Sequence, residues 1–234
     1  MFFNRDKLAF ALVLLAGSGV TATAQTTRQE FWPEAGFYVD RGSRTRVAFV
    51  DSLRLDHEAH KARGSFTYFL DFALRPVFRR ELRQRDDVFQ RRFLTFRAGY
   101  RYTTSLANGD SSSENRAIAE TTARYPLPGK IVIADRNRGD FRFIKGQGFS
   151  MRYRNRLRAE RDFKLRRLVL TPFVYDEVFY DTRYGSWNRN RVAAGVQVPV
   201  GPHVVVEPYL LRQHDSQSTP RRVHALGLTL NLYF

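Results

Sequence analysis

The sequence predicts an all-β protein: a transmembrane antiparallel up-and-down β-barrel preceded by a cleaved signal peptide. Three observations predict it. They are an N-terminal export signal, no second apolar run of helix-spanning length, and period-2 alternation that continues to the last residue. The C-terminal segment is the clearest. Leu226, Leu228, Leu230, Leu232 and Phe234 share one parity, while Gly227, Thr229 and Asn231 share the other. Successive side chains on a strand point to opposite faces, so this is a strand with one apolar and one polar face. Running to a terminal Phe, it has the form of the last strand of an outer-membrane barrel, whose apolar face meets lipid.

The N-terminus reads as a signal peptide over residues 1–24, leaving 25–234 as the barrel. Arg5, Asp6 and Lys7 precede an apolar run from Leu8 to Val20, and Ala22-Thr23-Ala24 forms the small-residue cleavage site. The run is far shorter than the roughly 20 residues a spanning helix needs. Beyond it charges recur every few residues, and the other structure that satisfies every backbone group inside a bilayer is a closed barrel. A soluble secreted β-sandwich is the alternative for an exported chain. There is no cysteine, which removes disulfide scaffolds, thiol chemistry and a lipid-anchoring Cys. The net charge of +16 would suit nucleic acid, but export and the spread of the cations along strands argue against that partner. The expected partners are outer-membrane lipid and lipopolysaccharide and the barrel assembly machinery, with a small anionic solute as a further candidate.

Eleven alternating segments follow. They are Glu30–Asp40, Arg44–Leu55, Ser65–Arg75, Arg92–Thr103, Asn115–Tyr125, Lys130–Phe143, Phe149–Glu160, Arg167–Tyr180, Asn188–Pro199, His203–Gln213 and Arg222–Phe234. Each can cross a bilayer at a tilt, which takes about 9–11 residues. Short connections such as Asp40–Ser43, Pro126–Gly129 and Val200–Pro202 read as periplasmic turns. Longer polar ones such as Asp56–Gly64, Leu106–Glu114, Asp181–Trp187 and His214–Pro220 read as extracellular loops. Both termini in the periplasm require an even number of strands. Twelve are therefore expected, with ten as the alternative; the miscut segment is Glu30–Asp40 or the charged stretch Phe78–Gln90.

Parity also sorts the arginines. Arg152, Arg154, Arg156 and Arg158 alternate with Met151, Tyr153 and Leu157, and each would cost about 2–4 kcal/mol against hydrocarbon near the midplane. They are expected in the lumen, with Arg97 and Arg101, Arg136 and Arg138, and Arg189 and Arg191 on neighbouring strands. Glu120, Asp140, Glu160, Glu177 and Glu207 are their acidic partners. Two readings stay open: a hydrogen-bonded network that fills a narrow barrel, or a positive interior that binds or conducts small anions.

Catalysis finds no support, and no cofactor or metal is expected. His57-Glu58-Ala59-His60 lacks further placed ligands, and the adjacency of His214, Asp215 and Ser216 says nothing about triad geometry. A lipid- or lipopolysaccharide-modifying enzyme would need a Ser/His pair meeting at one rim.

Several motifs recur in a recognisable order. Trp32 opens the first strand; Glu114-Asn-Arg116 and Arg136-Asn-Arg138-Gly-Asp140 follow. Arg152-Tyr-Arg154-Asn-Arg156, Tyr175-Asp-Glu177-Val-Phe179, Asn190-Arg191-Val-Ala-Ala-Gly195 and the aromatic C-terminus complete the series. Together they resemble the small bacterial outer-membrane proteins grouped as domain of unknown function 2490. The resemblance implies a barrel in the outer membrane and no activity.

Overall fold

The computed structural model describes residues 27–56, 61–74, 89, 92–107, 112–165, 168–219 and 221–234. The expected signal peptide, the His57–His60 pair and most of Phe78–Gln90 lie outside the described residues. The strands are β1 (Thr27–Arg41), β2 (Thr45–Asp56), β3 (Lys61–Ala73), β4 (Leu94–Ser105), β5 (Ser113–Leu127) and β6 (Ile131–Ile144). They continue as β7 (Ser150–Arg161), β8 (Phe163–Leu165), β9 (Leu168–Asp181), β10 (Ser186–Pro199), β11 (Val204–Asp215) and β12 (Arg222–Tyr233).

Each alternating segment of the sequence is one wall strand. Neighbours pair antiparallel from β1 to β7, β7 pairs with β9, and the meander continues to β12. Among the described residues the three-residue β8 pairs only with β9. Twelve strands are thus present among the described residues, but eleven make the wall. An odd ring cannot close by antiparallel pairing alone, and the seam resolves this: β12 and β1 run parallel, in register from Thr27↔Arg222 to Tyr38↔Tyr233. The seam ends on two backbone bonds, from Phe234 N–H to the Tyr38 carbonyl (2.8 Å) and from Asp40 N–H to that of Phe234 (2.9 Å). It also puts the start of β1 and the end of β12 at opposite rims, so the two ends of the wall do not share one side as an even count requires. The turns 42–44, 128–130 and 200–203 share the rim of Phe234, here the turn rim; the connections after β2, β4, β6, β9 and β11 share the other, the loop rim.

Burial follows the parity. Leu226, Leu228, Leu230 and Phe234 are exposed on the outside, while Thr229 and Asn231 are buried inside. Phe66, Tyr68, Leu70 and Phe72 of β3, and Phe96, Tyr100 and Tyr102 of β4, also face outward. The interior holds two apolar clusters, one around Trp32, Phe173, Tyr175 and Leu211, the other around Val50, Phe69 and Ile118. Rings this large need room on the neighbouring strand. Gly227 lies in register with both Tyr209 and Trp32, and the Tyr209 ring occupies the space a β-carbon would take. Gly227→Val is accordingly expected to cost about 1–3 kcal/mol by overpacking. The measurement is the unfolding temperature in detergent, and an unchanged value would show that the ring does not depend on the glycine.

Candidate functional site in the arginine-lined interior

The interior is organised by two facing ladders. On β7, Arg152, Arg154, Arg156 and Arg158 take every inward position between Ser150 and Glu160; on β9 the inward residues paired with them are Phe173, Tyr175, Glu177, Phe179 and Asp181. Aromatic rings and carboxylates are therefore interleaved beneath the guanidinium groups. Arg158 lies 3.7 Å from the Phe173 ring centre, Arg156 4.1 Å from Tyr175 and Arg154 4.8 Å from Phe179. A planar cation suits this setting because it stacks on a ring face while its edge donates to an acid.

Register sets arginines opposite one another on β6 and β7, Arg138 against Arg154 and Arg136 against Arg156. Like charges so placed repel, and deeply buried carboxylates offset this. Glu177, fully buried, accepts from Arg136 (2.5 Å), Arg154 (2.8 Å) and Arg156 (3.1 Å), with Arg191 at 3.8 Å. Asp140 accepts from Arg138 (2.7 Å) and Arg116 (3.1 Å). Glu120 lies 3.6 Å from Arg138 and 3.7 Å from Arg136. Arg158 donates to Glu160 (3.0 Å) and, across the interior, to Glu207 (3.3 Å), which also takes the Gln197 amide at 2.6 Å. Arg191 donates to Gln213 (2.7 Å).

Four further acids join the network: Asp71 within β3, Glu114 near the start of β5, and Asp181 and Asp215 at the ends of β9 and β11. Asp71 takes both forks of Arg97, at 2.5 and 2.7 Å. Asp181 accepts from Arg142 (2.8 Å) and Arg152 (2.6 Å), and Glu114 from Arg116 and Arg142, both at 2.7 Å. Asp215 takes Arg189 at 2.7 Å. Glu114 stands inside β5, one residue into a strand that the sequence reading starts at Asn115.

Short acids thus sit against the wall while long guanidinium groups reach inward, so the inner surface is cationic. A cavity of about 280 Å³ on the loop-rim side is lined by thirteen arginines and three carboxylates, Glu34, Glu114 and Glu207. A second, also about 280 Å³, lies toward the turn rim and is bordered by Arg46, Phe89 and Tyr233. The two share a waist at Glu34, Tyr38, Arg97, Arg136, Arg156 and Glu207. Phe89, from the chain between β3 and β4, lies 4.2 Å beneath the Arg46 guanidinium at the turn-rim end.

Within the first cavity three arginines differ from the rest. Arg54 and Arg63, directly opposite each other on β2 and β3, have no carboxylate partner among the described residues, and Arg54 stacks on Trp32 at 4.4 Å. Arg101 donates to the Thr67 hydroxyl (2.7 Å) and faces Arg116 in register. Such forks match a planar or tetrahedral oxyanion. Sequence parity places Arg101 inside but passes over Arg54, which shares its face with Arg46, and over Arg63, which lies in an expected loop.

A family model described as Protein of unknown function (DUF2490) matches residues 44–224. The chain belongs to this family. The match agrees with the resemblance drawn from the order of its motifs. No curated protein matches the chain. In this DUF2490 barrel His214 faces outward and Asp215 inward, so the three residue types of a hydrolase triad do not converge at that point. Among the described residues no three metal-ligating side chains form a group.

Proposed function

We propose that the chain is an outer-membrane β-barrel whose loop-rim cavity binds a small oxyanion, with phosphate and small carboxylates as the chemical class. One observation carries the reading: Arg54, Arg63 and Arg101 line one cavity and form no ion pair among the described residues, in an interior whose other arginines are largely held by carboxylates. Arg54 and Arg101 are half-buried and Arg63 is exposed at the cavity mouth; cations drawn partly out of water are better satisfied when paired, and a bound anion would complete this set. The outward apolar faces and closed wall support the membrane setting. Export then puts the turn rim in the periplasm and the loop rim outside. The shared waist favours a second reading, a narrow anion path, which planar-bilayer conductance with anion selectivity would reveal.

Heat-modifiable gel mobility and detergent-dependent extraction test the setting; free solubility in water would overturn it. For the ligand, inorganic phosphate at constant ionic strength is expected to raise the unfolding temperature, with chloride inert. Saturation at 100 times Kd corresponds to about 2.7 kcal/mol. Equal effects of the two salts would reduce the site to general screening.

A further inference from the structure

The outside of the wall carries a polar face that the interior does not explain. Asp135 and Asn137 of β6, Asn155 of β7, Asp176 of β9 and Asn190 of β10 have outward parity and lie away from the strand ends. They form two hydrogen-bonded groups, one on β6 and β7 and one on β9 and β10, and the second lies at the centre of the β9–β11 face. The Asn155 amide donates to Asp135 (2.7 Å) and Asn137 (3.1 Å), and that of Asn190 to Asp176 (2.6 Å). On β12 and β1–β5 the outward mid-wall positions are apolar, aromatic or small, Asp51 and Thr121 apart. The inference rests on the membrane setting proposed above. Polar and ionisable groups within a membrane are found facing protein or water-filled space rather than lipid.

Charge names the occupant. Val192 on β10 is in register with Asp176 on one side and Arg212 on the other; Asn190 is likewise flanked by Val178 and His214. An acid and amide flank therefore lies on one side of β10 and a cationic flank on the other. An acidic patch alone would suit any basic partner. Opposite flanks at equal distance from one strand suit a two-fold contact, in which the same surface must be its own complement. An axis beside Val192, along the membrane normal, lays β9 of one copy against β11 of the other. Asp176 then meets the partner's Arg212, and the pair occurs twice. Val174, Val192 and Leu210, each more than half exposed, supply apolar contact at the centre, and the small Ala194 lets the walls approach.

We propose that the β9–β11 face is the interface of a homodimer in the plane of the membrane, centred on Val192.

The chain has no cysteine, so Val192→Cys introduces a single thiol. The full chain is reconstituted into phosphatidylcholine vesicles at high lipid-to-protein ratio and oxidised. Most of the Val192→Cys protein is expected as a disulfide-linked dimer, whereas Tyr100→Cys, outward on β4, stays monomeric. In the Val192→Cys background, Asp176→Arg or Arg212→Asp lowers the yield several-fold and the double exchange restores it. Asp176→Leu, which leaves an apolar wall, lowers it too, so the loss cannot be ascribed to misfolding of a reversed charge. Equal yields from the two cysteines, a yield indifferent to the reversals, or an inserted, heat-modifiable monomer would each overturn the interface alone. A chain that fails to insert overturns the membrane setting and the interface with it.

Discussion

Glu177→Ala is expected to destabilise the barrel by about 3–5 kcal/mol, the range for removing one partner of a buried ion pair. The residue is fully buried and holds Arg136, Arg154 and Arg156 within hydrogen-bond distance, with Arg191 just beyond. Without it Arg156 and Arg191 have no ion-pair partner among the described residues, and Arg136 and Arg154 keep only Glu120 at 3.7 Å and Asp140 at 3.6 Å. The loss is expected to exceed that in Glu207→Ala, because Glu207 is less buried and takes one arginine at 3.3 Å beside the Gln197 amide. Unfolding in urea, followed by gel mobility, measures both. Equal stabilities for Glu177→Ala and the parent would show that aromatic stacking, not the carboxylate, holds the ladder.

Arg54→Ser with Arg101→Ser is expected to do the reverse. It should leave stability within about 1 kcal/mol of the parent while weakening oxyanion binding by about tenfold or more. The lost contacts are a stack on Trp32 and one bond to Thr67. Removing two cations from a repelling set offsets much of this, since Arg54 faces Arg63 and Arg101 faces Arg116. A hydrogen bond to a charged group contributes about 1.5–3 kcal/mol, and each 1.4 kcal/mol is a tenfold change in affinity. Arg154→Ser is the contrast: it frees Glu177 and Asp140 of a shared cation and should lower stability. Arginines that hold the fold and those proposed to hold a ligand thus separate by which property each substitution changes, stability or binding. If Arg101→Ser and Arg154→Ser destabilise alike, the distinction between the two sets fails.

The wall was legible in the sequence because alternation is local. A strand with one apolar face shows its period within ten residues, and every one of the eleven segments became a wall strand. Strand number was not, because it depends on the seam. The parallel register of β1 with β12 joins residues nearly two hundred positions apart, and nothing local marks it. Parity likewise placed Arg152–Arg158 inside. What escaped was part of the acid half of the network: parity named Glu120, Asp140, Glu160, Glu177 and Glu207 but not Asp71, Glu114, Asp181 or Asp215. Glu114 and Asp181 lie at strand ends, where acids look like turn residues, and Arg63 precedes the expected start of its strand. Glu34, on the inward parity of Glu30 and Trp32, carried a readable signal: an acid between two inward residues of a strand.

Equilibrium binding of inorganic phosphate to the lipid-reconstituted chain, measured by calorimetry at fixed ionic strength, decides most directly between a ligand-holding interior and a self-contained one. An anion-binding cavity gives saturable binding at one site per chain, weakened about tenfold or more by Arg54→Ser with Arg101→Ser. Phosphate that does not bind the parent, or binds the double variant equally well, would contradict it.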